Sequence, residues 1–171
     1  KRQSMTYEID GGRSSRPLVV DSSVIFDLYH ADLLVVVTRL PFRFHFVNFL
    51  ASELVYPRAE LLEESGWTSL AISIKAVAEI AELRQRYTGP SFNDFAGLLA
   101  AFEHEAILVT GDAKLRKAAE EKQVTVHGVL WLLDELVRHT ILTPAQAATS
   151  WRKILDRDSW LPQKECEKRL A

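Results

Sequence analysis

The chain has 171 residues, of which 47% are apolar and 26% are charged, and its formal net charge at pH 7 is −2. This composition is typical of a globular protein with a substantial core, and it excludes an intrinsically disordered chain. The slight negative charge excludes a general attraction to nucleic acid, so nucleic-acid binding would need a local basic patch. The single cysteine, Cys166, excludes an internal disulfide and a cysteine-based zinc site, and it suits a reducing compartment.

No secretory signal peptide and no apolar run of transmembrane length are visible, so we expect a cytoplasmic protein with no membrane partner. The beginning of the chain is polar and contains paired glycines and paired serines, which predicts a flexible tail over residues 1–16. We expect a single domain over residues 17–161, with Trp160 and Leu161 as its last apolar anchors, and a polar tail over residues 162–171.

The first half of this domain begins with a buried strand over residues 18–20 that ends at Asp21. Residues 33–40 are apolar enough for a helix or a strand, and their periodicity does not distinguish the two. Large apolar residues alternate with polar ones over residues 42–46, which favours a strand with one apolar face. The other elements predicted here are a short strand over residues 67–72 and helices over residues 24–29, 49–56 (capped by Asn48 and carrying Glu53), 58–65 and 74–86 (capped by Ser73).

The segment from residue 91 to residue 112 is the most informative part of the sequence. Ser91 and Asp94 have the spacing of a capping box, which predicts that a helix begins near Phe92. Residues 106–110 form a continuous apolar run, typical of a strand buried in a parallel sheet, and Asp112 follows that strand. The helix before the strand has one predicted buried face, which consists of Phe95, Leu98, Leu99 and Phe102.

The rest of the chain continues the alternation of helices and strands. It predicts helices over residues 114–122 and 131–139, a strand over residues 124–126, and a last helix that begins at a capping box from Thr143 and ends near Leu155. This alternation predicts an α/β fold, a three-layer α/β/α sandwich with a mostly parallel central sheet. We expect the strands that end at Asp21 and Thr110 to be parallel and adjacent, or nearly so.

Acidic residues directly follow predicted strands or lie in the first turns of helices; they are Asp21, Glu53, Asp94 and Asp112. Each has a structural explanation, as a helix cap or as a charge favoured by the helix dipole. However, segments that follow parallel strands open onto one edge of the sheet, where four carboxylates would repel one another unless a cation intervened. Hard oxygen ligands select Mg²⁺ or Mn²⁺, and two such ions can hold a phosphodiester for in-line displacement. A metal site therefore explains the cluster better than four independent caps.

Three basic residues, Lys114, Arg116 and Lys117, follow Asp112 closely. They are candidates for contacts with an RNA backbone beside the metals, and they are equally consistent with a solvated helix face. No GxGxxG or GxxxxGK[ST] motif is present, so a dinucleotide site or a P-loop is unsupported. Asp21 also lacks the second aspartate, two residues later, that a haloacid-dehalogenase phosphotransferase would need.

The pattern resembles the PIN domain family, and within it the VapC-type toxins of prokaryotic toxin–antitoxin systems and related bacterial PIN proteins. The resemblance covers roughly residues 17–155, and its most specific part is LVTGD with KLRKAAEEKQVTVHG behind it. The family usually has a proline-containing turn before its glutamate helix, where this chain has FVNFLASEL, so Glu60, Glu63 and Glu64 stay open as alternatives to Glu53. The matching blocks are LVVDSS at 18–23, a glutamate at 53, SFND at 91–94 and LVTGD at 108–112.

The resemblance implies a metal-dependent endoribonuclease that hydrolyses RNA with the help of Mg²⁺ or Mn²⁺. It also implies a homodimer and, for a toxin, an antitoxin protein that blocks the site. Ser22 and Thr110 match positions where such proteins often carry a hydroxyl near the metal. The competing interpretation is a catalytically silent PIN fold, kept for RNA binding or dimerisation, in which the acids are structural. The residues implied to be both catalytic and metal-binding are Asp21, Glu53, Asp94 and Asp112.

A homodimer also has an argument of its own in the sequence. Residues 33–49 carry more large apolar side chains than one short helix and one strand of a small domain usually hide. Four of these side chains lie close together, and a contiguous exposed apolar surface tends to mark an interface that a second copy can cover. We therefore expect the dimer contact to include residues between 33 and 49, among them Phe42, Phe44, Phe46 and Phe49.

Overall fold

The computed structural model describes residues 16–48 and 57–156, and this part of the chain contains five strands, seven α-helices and one short 3₁₀ helix. The strands are β1 (Arg16–Val20), β2 (Phe42–Val47), β3 (Thr68–Leu70), β4 (Ile107–Val109) and β5 (Val126–His127). The helices are α1 (Ser22–His30), α2 (Ala59–Glu64), α3 (Ile74–Arg86), α4 (Phe92–Glu103), α5 (Ala113–Glu121), α6 (Val129–Arg138) and α7 (Pro144–Leu155).

The strands form one sheet in the order β3-β2-β1-β4-β5, and every neighbouring pair is parallel. Helix α4 packs on β1, β2 and β4 and also contacts α3 and α5, while α1 contacts α6 and α7. The predicted α/β/α fold with a parallel central sheet is therefore confirmed. No helix in the two described ranges is long and apolar enough to cross a membrane.

The register of the central strands places two predicted site residues next to each other. Val20 at the end of β1 pairs with Val109 at the end of β4, so the two strands end at the same level. The next residues, Asp21 and Thr110, therefore leave the sheet side by side at its carboxyl edge. The prediction that these strands are parallel and adjacent is confirmed.

Helix α4 is the most deeply buried helix that the sequence analysis singled out. Ser91 and Asp94 form the predicted capping box, and Phe95, Leu98 and Leu99 are buried as expected. The predicted face is wrong at its end, because 45% of Phe102 is exposed and Nζ of Lys122 lies 4.9 Å from the centroid of its ring. The small residues of α4 are buried instead, which lets the sheet and two helices approach it closely; they are Ala96, Gly97, Ala100 and Ala101.

The described residues before and within β2 expose less apolar surface than the sequence predicts. Residues 33–40 form turns and a short 3₁₀ helix, Val37–Arg39, rather than an α-helix or a strand. Phe44 and Phe46 are buried inside the chain, so they do not supply a surface for a second copy. Phe42 is half-buried and its ring centroid lies 5.4 Å from that of Trp131. The predicted helix over residues 49–56, with Phe49 and Glu53, lies outside the described residues.

Candidate active site

Asp21 is the centre of the candidate site. It directly follows β1, its backbone N–H donates to the carbonyl of Val109 at 2.9 Å, and only 8% of the residue is exposed. It occupies the N-cap position of α1, yet its side chain does not cap that helix. Oδ2 of Asp21 instead accepts hydrogen bonds of 2.9 Å from the hydroxyls of Thr110 and Ser23, while the hydroxyl of Ser22 is 3.4 Å from Oδ1.

The environment of Asp21 disfavours its charged form. Burial is the largest cause, the negative charge of Asp94 is the second, and together they raise the pKa of Asp21 to about 6. The hydrogen bonds from Thr110 and Ser23 act in the opposite direction because they stabilise the carboxylate. The Asp21 carboxyl therefore gives up its proton only as the pH rises through about 6, and a nearby cation would favour the ionised form.

Asp94 lies in the first turn of α4 and has a structural function of its own. Its Oδ2 accepts the backbone N–H of Ser91 at 2.6 Å, while the hydroxyl of Ser91 accepts the backbone N–H of Asp94 at 3.2 Å. Through this capping box the start of α4 is fixed, and the Asp94 carboxylate is held where it acts electrostatically on Asp21. No hydrogen bond from a described residue reaches Oδ1 of Asp94.

Asp112 is the N-cap of α5. Its Oδ1 accepts the backbone N–H groups of Lys114 at 2.7 Å and Leu115 at 3.1 Å, so the cap that the sequence allowed is confirmed. The backbone N–H of Asp112 donates to the hydroxyl of Thr110 at 3.1 Å, and that hydroxyl in turn donates to Asp21. Thr110 is fully buried and therefore links the backbone of one acid to the side chain of another.

The structure brings together part of the predicted acidic set. Asp21 and Asp94 interact electrostatically, and Asp112 joins them through Thr110. Within residues 16–48 and 57–156, no three histidine, cysteine, aspartate or glutamate side chains are grouped so that they could hold a metal ion. Glu53 lies outside the described residues. The sequence leaves three glutamates open as alternatives to Glu53. They are exposed on α2 and belong to no such group: Glu60, Glu63 and Glu64.

The three basic candidates after Asp112 have different surroundings. The side chain of Lys114 lies against Gly89 in the loop before α4. The two are so close that a Cβ atom added to this glycine would be 2.9 Å from Nζ of Lys114. The guanidinium of Arg116 lies 3.4 Å from the carbonyl oxygen of Thr110 and 3.5 Å from that of Val126, which ties α5 to the ends of β4 and β5. Lys117 is exposed on α5. Its charge helps to lower the pKa of Glu121, although Tyr87 and Arg86 lower that pKa more. Of the three, Lys114 lies beside the loop that leads to Asp94.

Ser23 is a site residue that sequence reasoning missed. Its hydroxyl makes a shorter hydrogen bond to Asp21 than that of Ser22, which had been singled out. The sequence does contain a signal for Ser23, because both serines directly follow Asp21 in the DSS triplet. On a helix that begins at Ser22, either hydroxyl is close enough in sequence to donate to the Asp21 carboxylate. Asn93, which is buried and directly precedes Asp94, is a second residue to which the sequence pattern assigns no function.

A comparison with protein families identifies the chain. The family model described as a PIN domain matches residues 17–171. The chain belongs to the PIN domain family. PIN domains are generally nucleases.

Comparisons with individual proteins add little to the family match. Among solved structures, this PIN domain is similar to a PilT N-terminus domain protein from the hyperthermophilic archaeon Sulfolobus solfataricus P2. The two share 15% sequence identity over 74% of this chain and 94% of that chain, with a TM-score of 0.48. No curated protein sequence matches this chain.

Proposed function

We propose that this PIN domain is a metal-dependent endoribonuclease that hydrolyses RNA phosphodiesters, and that it is the toxin of a toxin–antitoxin pair. The observation that carries the enzymatic part is the buried Asp21 carboxylate, whose pKa is raised to about 6 by burial and by the neighbouring Asp94. Perturbed carboxylates of this kind concentrate at functional sites. The membership in a family of nucleases supports the same conclusion.

The chemistry of the carboxylates fits a hard divalent cation such as Mg²⁺ or Mn²⁺. In each acid one oxygen is anchored by a short hydrogen bond: Oδ2 of Asp21, Oδ2 of Asp94 and Oδ1 of Asp112. The other oxygens of Asp94 and Asp112 receive no hydrogen bond within the part of the chain that the structure describes. We propose Asp21 and Asp94 as the principal ligands, with Asp112 and Glu53 completing the set. Bound there, the cation would polarise a phosphoryl oxygen and lower the pKa of a water molecule.

The protein's own residues hold and orient these acids. Thr110 and Ser23 fix the Asp21 carboxylate from one side, and the capping box fixes Asp94 from another. The N-termini of α4 and α5 lie at this edge of the sheet, and helix N-termini favour negative charge, including that of a phosphate. We propose that a phosphodiester of single-stranded RNA is oriented at this edge.

We propose Lys114 as the basic residue that contacts the RNA backbone next to the cleavage position. Its ammonium lies beside Gly89, on the loop that leads into α4, and no carboxylate in the described ranges forms a salt bridge with it. An ammonium without an ionic partner at the edge of an acidic site is suited to a phosphate. Arg116 instead donates to main-chain carbonyls, and we propose that it supports the site rather than binding RNA.

The competing function is a catalytically silent module that binds RNA or dimerises. One observation favours it: Asp94 and Asp112 are both fully explained as helix caps, and no ready-made group of three acids is present among the described residues. Under this alternative, Asp21 would be a buried carboxyl without a catalytic function. The two functions differ in their response to divalent cations.

The partners of the protein are part of the proposal. A toxin would require an antitoxin that covers the acidic edge. A homodimer with a contact between residues 33 and 49 also remains a proposal, although Phe44 and Phe46 no longer support it. Within the described part of that range, Val35 is a large apolar side chain that is 61% exposed and could contact a second copy. Sedimentation at micromolar concentration tests the dimer, and a monomer only would contradict it.

Cleavage of a labelled single-stranded RNA tests the proposed activity. The wild-type protein should cut the RNA with Mg²⁺ or Mn²⁺, should stop when a chelator is added, and should resume when the cation is restored. Asp21→Asn should abolish cleavage, whereas Asp156→Asn, at an exposed position after α7, should leave it unchanged. RNA binding without cleavage under every cation condition would support the silent module instead.

A further inference from the structure

Helix α3 carries an apolar stripe on its exposed side. One side of this helix is buried, and α3 packs on α4. Away from that contact, 90% of Ile74 and 38% of Val77 are exposed. Two exposed alanines, Ala78 and Ala81, continue the stripe at the spacing of one helix face. A continuous apolar stripe that faces solvent indicates an interaction surface.

The stripe is symmetric about a midpoint between Val77 and Ala78. Ile74 and Ala81 lie equally far from this midpoint, at opposite ends of the stripe. When two copies of α3 pack antiparallel around a two-fold axis at the midpoint, Ile74 of each copy contacts Ala81 of the other, and Val77 contacts Ala78. A large side chain then meets a small one at every position, which lets the helices approach closely. A parallel pair would instead place Ile74 on Ile74 and leave a gap between the two Ala81 residues.

The charged residues beside the stripe suit the same antiparallel pair. Lys75 and Glu82 are seven positions apart, so they lie on the same side of α3 and about 10 Å apart along its axis. Both are exposed, and neither forms a salt bridge with a described residue, whereas Glu79 of the same helix pairs with Lys122. Antiparallel packing brings Lys75 of each copy within one helical turn of Glu82 of the other. The surface is therefore complementary to itself in shape and in charge.

We propose that the exposed stripe of α3 binds the same stripe of a second copy, in antiparallel orientation and with two symmetric Lys75–Glu82 salt bridges. One helix pair is smaller than a typical stable interface, so the dimer is weak, with a Kd of about 10 μM or higher. This contact is an alternative to the one predicted within residues 33–49.

The proposed dimer leaves both acidic edges accessible. A short loop connects the end of α3 to Ser91, and the acidic edge therefore lies at the C-terminal end of α3. Antiparallel packing places the two acidic edges at opposite ends of the helix pair. The dimer is thus independent of the proposed ribonuclease activity.

Sedimentation velocity without RNA or a divalent cation tests this proposal, so the result does not depend on the proposed activity. Concentrations from about 1 to 500 μM bracket the expected Kd, and the wild type should show a reversible monomer–dimer equilibrium. Ile74→Asp should weaken association by about tenfold or more, because it places a charge on the apolar contact. Val35→Asp, a matched change at an exposed residue within 33–49, should leave association unchanged. A monomer at every concentration would overturn the proposal, and so would association that is lost only in Val35→Asp.

A charge-reversal cycle tests the identity and the orientation of the partner. Lys75→Glu and Glu82→Lys should each weaken association by about tenfold, because each change turns two attractions into two repulsions. The double variant should restore association, since the pair forms again with its signs exchanged. Lys117→Glu, a reversal at an exposed position of α5, is the control and should change nothing.

Recovery in the double variant is specific to an antiparallel second copy. A different partner protein, or another segment of the same chain on the stripe, would not recover when both charges are exchanged. Failure of the double variant to recover would therefore overturn the proposal. Lys75 and Glu82 are both exposed, so this cycle still decides if Ile74→Asp fails to fold.

Discussion

The hydroxyl of Thr110 donates a 2.9 Å hydrogen bond to Oδ2 of Asp21. The same hydroxyl accepts the backbone N–H of Asp112 at 3.1 Å, so one fully buried group connects two of the acids at the carboxyl edge. This relationship exists because β1 and β4 are adjacent, parallel and equal in register at Val20 and Val109. The position of Asp21 thus depends on the topology of the sheet and on one threonine.

Replacing Thr110 with valine should destabilise the protein and further raise the pKa of Asp21. The change keeps the shape of the side chain, removes a donor to a buried carboxylate, and leaves the Asp112 N–H without its acceptor. We expect a loss of about 1–3 kcal/mol in the free energy of unfolding, measured by urea denaturation. Thr38→Val, which removes an exposed hydroxyl bonded to the carbonyl of Val35, is the control and should cost much less. Equal losses for the two variants would contradict the importance of the Thr110 bridge.

Asp21→Asn should stabilise the cation-free protein above pH 6 and have little effect near pH 4. The pKa of Asp21 is about 6 in the folded state and 3.8 as a reference, so between these values the folded state binds more protons than the unfolded state. Stability therefore falls as pH rises through this window, by roughly 3 kcal/mol in total, and the asparagine removes that loss. Urea denaturation from pH 4 to pH 7.5 measures it.

Asp32→Asn is a control with the opposite sign. The hydrogen bond and charge of Lys153 lower the pKa of Asp32, so the contribution of this exposed residue is present at neutral pH and is lost on acidification. Asp32→Asn should therefore be neutral or slightly destabilising at pH 7.5. A stabilisation by Asp21→Asn that did not change with pH would contradict the raised pKa.

Asp94→Asn should separate the charge of this residue from its capping function. The amide oxygen of asparagine can still accept the N–H of Ser91, whereas the negative charge beside Asp21 is removed. We expect cation-free stability at pH 7.5 to stay equal or to rise, and the increase in melting temperature with millimolar Mn²⁺ to disappear. Ser91→Ala should do the reverse: a loss of about 1 kcal/mol from the capping box, with the response to Mn²⁺ retained. A response to Mn²⁺ that survives Asp94→Asn would exclude this residue as a ligand.

Lys114→Gln should weaken RNA binding more than Lys117→Gln. Lys114 lies beside the loop that leads to Asp94, whereas Lys117 is further along α5 and interacts with Glu121. In an uncleaving Asp21→Asn background, Lys114→Gln should reduce the slope of log affinity against log salt by about 1. Filter binding at several salt concentrations measures this slope. Equal slopes for the two variants would mean that α5 makes no specific phosphate contact through Lys114.

The features that the sequence predicted well depend on local interactions. The capping boxes at Ser91–Asp94 and Thr143–Gln146 and the cap at Asp112 involve groups only two or three residues apart, so spacing alone identifies them. The order of strands and helices follows from apolar patterns of similar short range. For the same reason Asp21, at the end of a buried strand, could be placed at the carboxyl edge of the sheet.

The features that the sequence did not predict depend on packing between distant segments. Phe102 continues the apolar face of α4 in sequence, but it lies near Lys122 at the surface because small residues of α4 occupy the interior instead. Phe44 and Phe46 were expected to be partly available to a second copy, and the layers of this chain bury them. The preference of Asp21 for Ser23 over Ser22 depends on the geometry at the start of α1, which residue spacing does not specify.

The central claim is that Asp21 and Asp94 hold a divalent cation, and calorimetric titration with Mn²⁺ at pH 6 tests it most directly. Because the pKa of Asp21 is about 6, cation binding should release a fraction of a proton, seen as a heat that changes with the ionisation enthalpy of the buffer. Asp21→Asn and Asp94→Asn should each weaken binding strongly, and Asp21→Asn should also abolish the proton release. A wild-type protein that binds no Mn²⁺, or binds it equally in both variants without releasing protons, would contradict the claim.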